Sequence, residues 1–373
     1  MPTRKNLVTT LARRRALALL GGLFVTPKTI AQVTSGESPA APFASVVPGY
    51  RLRFPDDEGS HPGFRTEWWY VTGWLESNGG PAGFQLTFFR IRPELKGDNP
   101  SAFAPRHILI AHAAISDPAH GGLQRDQRVA REGFALAGAG QSRVDVWIDD
   151  WSLKHENGAY RARIAARDFR VDFTFSATQP PLLQGSSGVR RKGPRSASAS
   201  YYYSLPQLKV QGTLTRDGKA EPVGGTAWLD HEWSSSYLDE EAVGWDWTGI
   251  NLADGGALMA FRMRDKQGRK FWAGGAYRAV NGGTRIFEPG EVDFTPLRRW
   301  RSSRTDAVYP IAWRIRAGNL QIEIAPLMDD QETDTRASTG TIYWEGAVRA
   351  LQDGKPVGRG YLELTGYWRR LRL

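Results

Sequence analysis

The feature that most constrains the fold is an internal repeat. Trp69-Tyr70-Val71-Thr72-Gly73, a Gly-Gly turn and Phe89-Arg90-Ile91-Arg92 are matched by Trp245-Asp246-Trp247-Thr248-Gly249, a Gly-Gly turn and Phe261-Arg262-Met263-Arg264. A second pair follows in the same order. Tyr202-Tyr203, Asp217-Gly218-Lys219 and Pro222-Val223-Gly224 lead to the segment around Asp230, and Tyr343-Trp344, Asp353-Gly354-Lys355 and Pro356-Val357-Gly358 lead to Tyr361-Leu362-Glu363-Leu364. Matching segments at matching order imply a duplicated unit. The first copy is expected at 48–237 and the second at 238–373, each opening on a Trp-rich strand and closing on a strand with a carboxylate, the alignment of Asp230 with Glu363 being open by one residue.

Each copy is built from short aromatic or β-branched runs separated by Gly, Asp and Asn, such as Phe169-Arg170-Val171-Asp172-Phe173-Thr174-Phe175. These have the period of strands, and no stretch carries a sustained helical stripe. The expected class is all-β, with each sheet closed on itself to hide its edges, which gives two tandem antiparallel barrels. Barrels of about eight strands hold side chains or one small ligand. The 14 Trp, 12 Tyr and 16 Phe are mostly core fillers.

Ahead of the barrels, residues 1–31 carry Arg4, Lys5, Arg13, Arg14, Arg15 and Lys28, no acid, and the apolar run Ala16–Val25. As a helix that run rises about 15 Å, half of a hydrocarbon core. It reads as a signal peptide cut after Ala31, with the paired arginines favouring the twin-arginine route and hence an exported, periplasmic protein. Residues 32–47 read as a Pro- and Ser-rich linker. The formal charge of +10 less these six basic residues leaves +4, which gives no case for a nucleic-acid partner. No transmembrane segment is expected, and the absence of Cys excludes disulfides, thiolate metal sites and a Cys nucleophile.

The richest chemistry lies in Trp228-Leu229-Asp230-His231-Glu232-Trp233. On a strand, Trp228, Asp230 and Glu232 point one way and Leu229, His231 and Trp233 the other. A carboxyl enclosed by aromatics is pushed up toward neutral pKa values, where it serves as a general acid; the competing reading is a set of polar groups that fix neighbouring loops. Trp228, Trp233, Trp245 and Trp247 are candidate walls of such a site. A metal site drawn from Asp230, His231, Glu232 and His61 is disfavoured, because alternation separates His231 from Asp230. Arg65 and Glu67 share a parity and are expected to pair as a plug at a barrel end, while His107, His112, His120 and His155 read as solvated or locally bonded. The Gly-rich basic stretch 184–195 reads as an exposed loop at a barrel mouth. No Gly-x-Ser-x-Gly elbow supports a serine hydrolase.

These phrases, with His61-Pro62-Gly63-Phe64-Arg65-Thr66-Glu67-Trp68-Trp69, Ala199-Ser200-Tyr201-Tyr202-Tyr203-Ser204 and Tyr343-Trp344-Glu345-Gly346, resemble the AttH family of exported lipocalin-like proteins, related to carotenoid 1,2-hydratases and more distantly to fungal lipocalin-like Diels–Alderases. The resemblance covers nearly all of the chain beyond the signal segment and implies two lipocalin-like (calycin) barrels. It further implies an elongated apolar ligand, isoprenoid or lipid, and hydration of a double bond without cofactor. Asp230 is then the acid, His231 or Glu232 the base that positions water, and Trp228, Trp233, Trp245, Trp247, Tyr203 and Trp69 the ligand-binding rings. The hydratases have Tyr and Asn where this chain has Trp228 and Glu232. The alternative is a non-enzymatic periplasmic carrier serving an AttEFGH-type ABC transport system. Whether the ligand lies in one barrel or in the groove between both is open at this stage.

Overall fold

The computed structural model describes residues 43–77, 79–94 and 99–371; the expected signal peptide and most of the linker lie outside them. The first sheet comprises β1 (Thr66–Ser77), β2 (Gly80–Ile91), β3 (Ile108–Asp117), β4 (Gly122–Arg131), β5 (Ala137–Ala139), β6 (Asp145–Ile148), β7 (Trp151–Glu156), β8 (Ala159–Ala165), β9 (Phe169–Ser176), β10 (Leu182–Leu183), β11 (Val189–Arg191), β12 (Ala199–Arg216) and β13 (Lys219–Ser234). The second comprises β14 (Gly244–Leu252), β15 (Ala257–Arg264), β16 (Lys270–Arg278), β17 (Thr284–Phe287), β18 (Val292–Arg301), β19 (Val308–Ala317), β20 (Leu320–Pro326), β21 (Glu332–Thr335), β22 (Thr341–Gln352) and β23 (Lys355–Leu364). The only helical elements among the described residues are three single turns of 3₁₀ helix.

Alternation drives this outcome. In β9 every second side chain is buried, the aromatic and Val positions inside and Arg170 outside. The two sheets share one plan: the first strand pairs with the last, β1 with β13 and β14 with β23, and three further strands follow by hairpins on the far side of the first. Both closing hairpins turn on Asp-Gly in the left-handed region, with φ of +48° and +73° at Asp217 and Gly218 and +49° and +73° at Asp353 and Gly354. Such turns match the twist of the flanking strands, and Asp-Gly tolerates them best. The first sheet curls until Arg128 on β4 reaches the carbonyls of Ile148 and Ala165. The second curls until Lys270 on β16 bonds the Val292 carbonyl at 3.0 Å. The architecture is two tandem lipocalin-like barrels, as the repeat implies.

Three apolar clusters result. One fills the first barrel around Trp69, Phe84, Phe173 and Trp233, and another fills the second around Trp313, Trp344 and Leu362. The third lies between the barrels, where the outer faces of β1, β12, β13, β14, β15 and β23 meet through Tyr70, Trp74, Tyr202, Trp228, Trp247, Phe261 and Tyr361. Trp74 Nε1 donates to the Gly360 carbonyl at 2.9 Å and Asn251 Nδ2 to the Ala227 carbonyl at 3.0 Å, so main chain of each barrel is bonded to the other.

In both copies the closing strand sets a carboxyl opposite an aromatic residue of the opening strand: Asp230 lies opposite Tyr70, and Glu363 opposite Trp247.

Candidate functional site

Asp230 and Glu232 open into a cavity of about 250 Å³ between the barrels. The first barrel contributes Trp68 and Tyr70 from β1, Thr87 and Phe89 from β2, His112 from β3, and Tyr202 from β12. The second contributes Trp245 and Trp247 from β14, Tyr343 and Glu345 from β22, and Glu363 from β23, with Tyr237 from the connection between barrels. Trp68, Phe89, Ile91, Trp245 and Thr339 are only half-buried and form its lip.

Five carboxyl residues line the cavity; Glu67 is paired with Arg90, and the other four are Asp230, Glu363, Glu345 and Glu232. Asp230 is 3% exposed. Its Oδ1 accepts from Ser204 Oγ at 2.5 Å and Trp228 Nε1 at 2.6 Å, and its Oδ2 from Tyr202 Oη at 2.6 Å. Burial raises its pKa to about 7; these three donors hold it there rather than higher, and the neighbouring Glu232 adds to the rise. Glu363, across the cavity, is pushed up to about 7, again by burial, with Trp245 Nε1 donating to it at 2.8 Å. Glu345 stands opposite Glu363 on the adjacent strand. Burial and the charge of Glu363 raise it well above the carboxylate range, and the nearby Tyr70 and Tyr343 hydroxyls temper that rise. Glu232 is bound by Lys192 Nζ at 2.7 Å and by Ser200, and burial still raises it. Lys192 is 1% exposed, and its ammonium also lies 4.8 Å from the Tyr202 ring centre, 4.7 Å from that of Tyr237 and 4.6 Å from that of Phe261.

The other face of β13 carries different chemistry. His231, Trp233, Tyr203 and Trp69 point into the first barrel and do not line the cavity. His231 Nε2 meets Glu67 at 3.0 Å, and Trp69 stacks on its ring at 4.8 Å. His231 therefore has no access to a ligand held beside Asp230, which removes it as the base, and Trp233, Tyr203 and Trp69 act as barrel core. Trp228 stands behind Asp230 as its hydrogen-bond donor, and Trp245 and Trp247 are true walls.

Glu67 is paired with Arg90, at 2.8 Å, instead of with Arg65, because β2 places Arg90 directly beside it. Arg65 leans over Phe43. Burial alone would raise the Glu67 pKa, yet hydrogen bonds from His231 and His61 and the Arg90 charge hold it well below the carboxylate range. The same trio, His61, Glu67 and His231, brings ligand-type atoms within 4.8 Å of one another. Arg90, His61 and His231 already satisfy this carboxylate, so the cluster reads as a polar plug at the barrel end. His112 also departs from the sequence reading: it is buried, lowered to about 3 by that burial, and bonded to Tyr343 Oη at 3.0 Å and Ser338 Oγ at 2.9 Å in the second barrel. The stretch 184–195 is not simply exposed, since Gln184, Arg190 and Lys192 are buried within the junction.

Sequence reasoning missed Glu345, Tyr70, Tyr202, Tyr237, Tyr343, His112 and Lys192 as members of the site, and used Glu363 only as a repeat marker. Parity offered a signal for Tyr70, which alternates with the inward Trp69 as Asp230 does with Leu229.

The same architecture occurs in known proteins. A family model described as AttH-like matches residues 45–367. A solved structure described as an AttH from Nitrosomonas europaea is 56% identical, with a TM-score of 0.82 over 87% of this chain and 99% of its own. Kievitone hydratase from Nectria haematococca shares the fold at 16% identity, with a TM-score of 0.65 over 89% of this chain and 98% of its own. The protein CghA shares it more loosely, at 13% identity and a TM-score of 0.50 over 90% and 97% of the two chains. No curated protein matches the chain. Among the described residues no helix is long and apolar enough to cross a membrane.

Proposed function

This chain belongs to the AttH-like family, and we propose that it is a cofactor-independent hydratase that adds water across a carbon–carbon double bond of an apolar small molecule held between its barrels. The observation that carries this reading is the state of Asp230: a carboxyl at the cavity wall, amid aromatic rings, with its pKa near 7. An acid in that range is still protonated near neutrality and leaves as a stable, three-times hydrogen-bonded carboxylate. The name of kievitone hydratase, which has the same architecture, agrees with this class of reaction.

In the proposed cycle Asp230 delivers its proton to one alkene carbon, and the cation at the other faces the π clouds of Trp247, Trp245 and Tyr202. Water adds to the cation and gives its proton to Glu363, the carboxyl across the cavity whose pKa lies in the same range as that of Asp230. The two carboxyls finish with the proton displaced from one to the other, and it returns through cavity water. Glu232, held by Lys192 at 2.7 Å, lies on the same face of β13 as Asp230. A cavity of about 250 Å³ takes a compact molecule or the reacting end of a long isoprenoid or lipid. The segment 1–31 supports action after export, in the periplasm.

The test is to extract the small molecules that copurify with the protein from its native cell and incubate them in ¹⁸O-water with wild type and Asp230→Asn. Gain of one labelled water with wild type alone, the variant being slower by at least about 100-fold, is the expected result. A molecule recovered unchanged from both proteins makes the chain a carrier, as an accessory to lipid transport would be.

A further inference from the structure

The cavity lining mixes apolar side chains, Phe89, Ile91, Ile110, Trp245 and Trp247, with polar ones, among them Tyr70, Tyr343, Glu345 and His112. Two of the polar atoms stand out: Tyr70 Oη and Glu345 Oε1 are both buried and complete no hydrogen bond to a described residue, although the two groups are close enough for the Tyr70 hydroxyl to act on the Glu345 carboxyl. Tyr70 is 7% exposed and Glu345 5%. Leaving such groups unsatisfied is costly, and folded proteins rarely tolerate it without a ligand or solvent that completes the bond.

The neighbours decide what kind of group fits. His112 is engaged by Tyr343 and Ser338, and the Tyr343 hydroxyl lies near Glu345 as well. Burial raises Asp230, Glu345 and Glu363 and so favours their neutral, protonated forms, a setting that suits an uncharged ligand group. A phenol hydroxyl beside a carboxyl offers both a donor and an acceptor, the pair that a neutral hydroxyl needs.

We propose that the ligand is an oxygenated molecule, an alcohol or phenol with a hydrocarbon remainder, whose hydroxyl is bound between Tyr70 Oη and Glu345 Oε1 while the remainder lies against Trp245, Trp247 and Phe89. This rests on the reading of the cavity as the ligand site and narrows its substrate class from hydrocarbon to hydroxylated compounds.

The experiment titrates geraniol and its deoxygenated hydrocarbon analogue into wild type, Asp230→Asn and Tyr70→Phe, read by tryptophan fluorescence and thermal unfolding. Geraniol is expected to bind wild type and Asp230→Asn about tenfold more tightly than the hydrocarbon, the worth of one buried hydrogen bond. Tyr70→Phe removes that preference, leaves the hydrocarbon's affinity unchanged, and does not lower the unfolding midpoint of the free protein, because the hydroxyl it deletes completes no hydrogen bond to a described residue. Equal binding of the two probes to wild type overturns the proposal and leaves the cavity as a ligand site. Tyr70→Phe that keeps the preference, or that lowers the midpoint, overturns it too by making the hydroxyl structural. Binding of neither probe defeats both this inference and the reading on which it rests.

Discussion

At the scale of single residues, the protein sorts its buried carboxyls by what surrounds them. Glu67 and Asp230 lie in facing strands three positions apart in register, yet one has an arginine and two histidines around it and the other has Ser, Tyr and Trp donors without a cation in contact. The first is thereby held ionised and the second near 7. Asp230 also makes stability depend on pH in a known direction. Its folded pKa is above its unfolded value, so the folded state binds the extra proton, and this contribution is lost as pH rises from about 4 to about 7. Asp230→Asn is neutral throughout. Its stability relative to wild type is expected to rise between about pH 4 and pH 8, by up to about 4 kcal/mol, the worth of moving one carboxyl from its ordinary range to about 7. Urea unfolding at both ends of that range is the check, and a flat difference would show that Asp230 titrates as an ordinary carboxyl.

At the scale of elements, two strands built to one plan carry the site. Alternation was legible from the sequence alone: Trp228, Asp230 and Glu232 do share a face, opposite Leu229, His231 and Trp233. What alternation could not say was which face holds the ligand, because both are buried, one in a barrel and one between barrels. Sequence reasoning accordingly draws His231, Trp233, Tyr203 and Trp69 to the site from the wrong side of their strands. Close approach of strands is equally a property of the elements. Gly225 sits where a side-chain carbon would come within 1.9 Å of the Trp74 carbonyl oxygen. Gly225→Ala should push β13 away from β1, cost about 1–3 kcal/mol, and disturb the neighbouring Trp74, whose Nε1 bonds Gly360 of the other barrel. Denaturant unfolding with tryptophan fluorescence would register both effects, and wild-type stability in the variant would contradict the assigned contact.

At the scale of the whole molecule, neither barrel contains the proposed chemistry by itself. Asp230 and Tyr70 belong to one and Glu345 and Glu363 to the other, and the cavity exists only because their outer faces dock. If acid and base serve one reaction, their losses do not add: Asp230→Asn with Glu363→Gln should slow turnover no more than about threefold beyond the worse single variant. Rates that multiply would assign the two carboxyls to separate tasks.

The sequence by itself determined the period of the strands, the Asp-Gly turns, the duplication and the order of each copy's opening and closing strands, because these follow from residues near one another or from a pattern repeated along the chain. Only the tertiary structure decided the partner of Glu67, the burial of His112 and Lys192, and the gathering of Asp230, Glu232, Glu345 and Glu363 around one cavity. Those depend on contacts such as His112 with Tyr343, 231 residues apart, whose energies are set by the desolvation that docking imposes, and no local pattern encodes that.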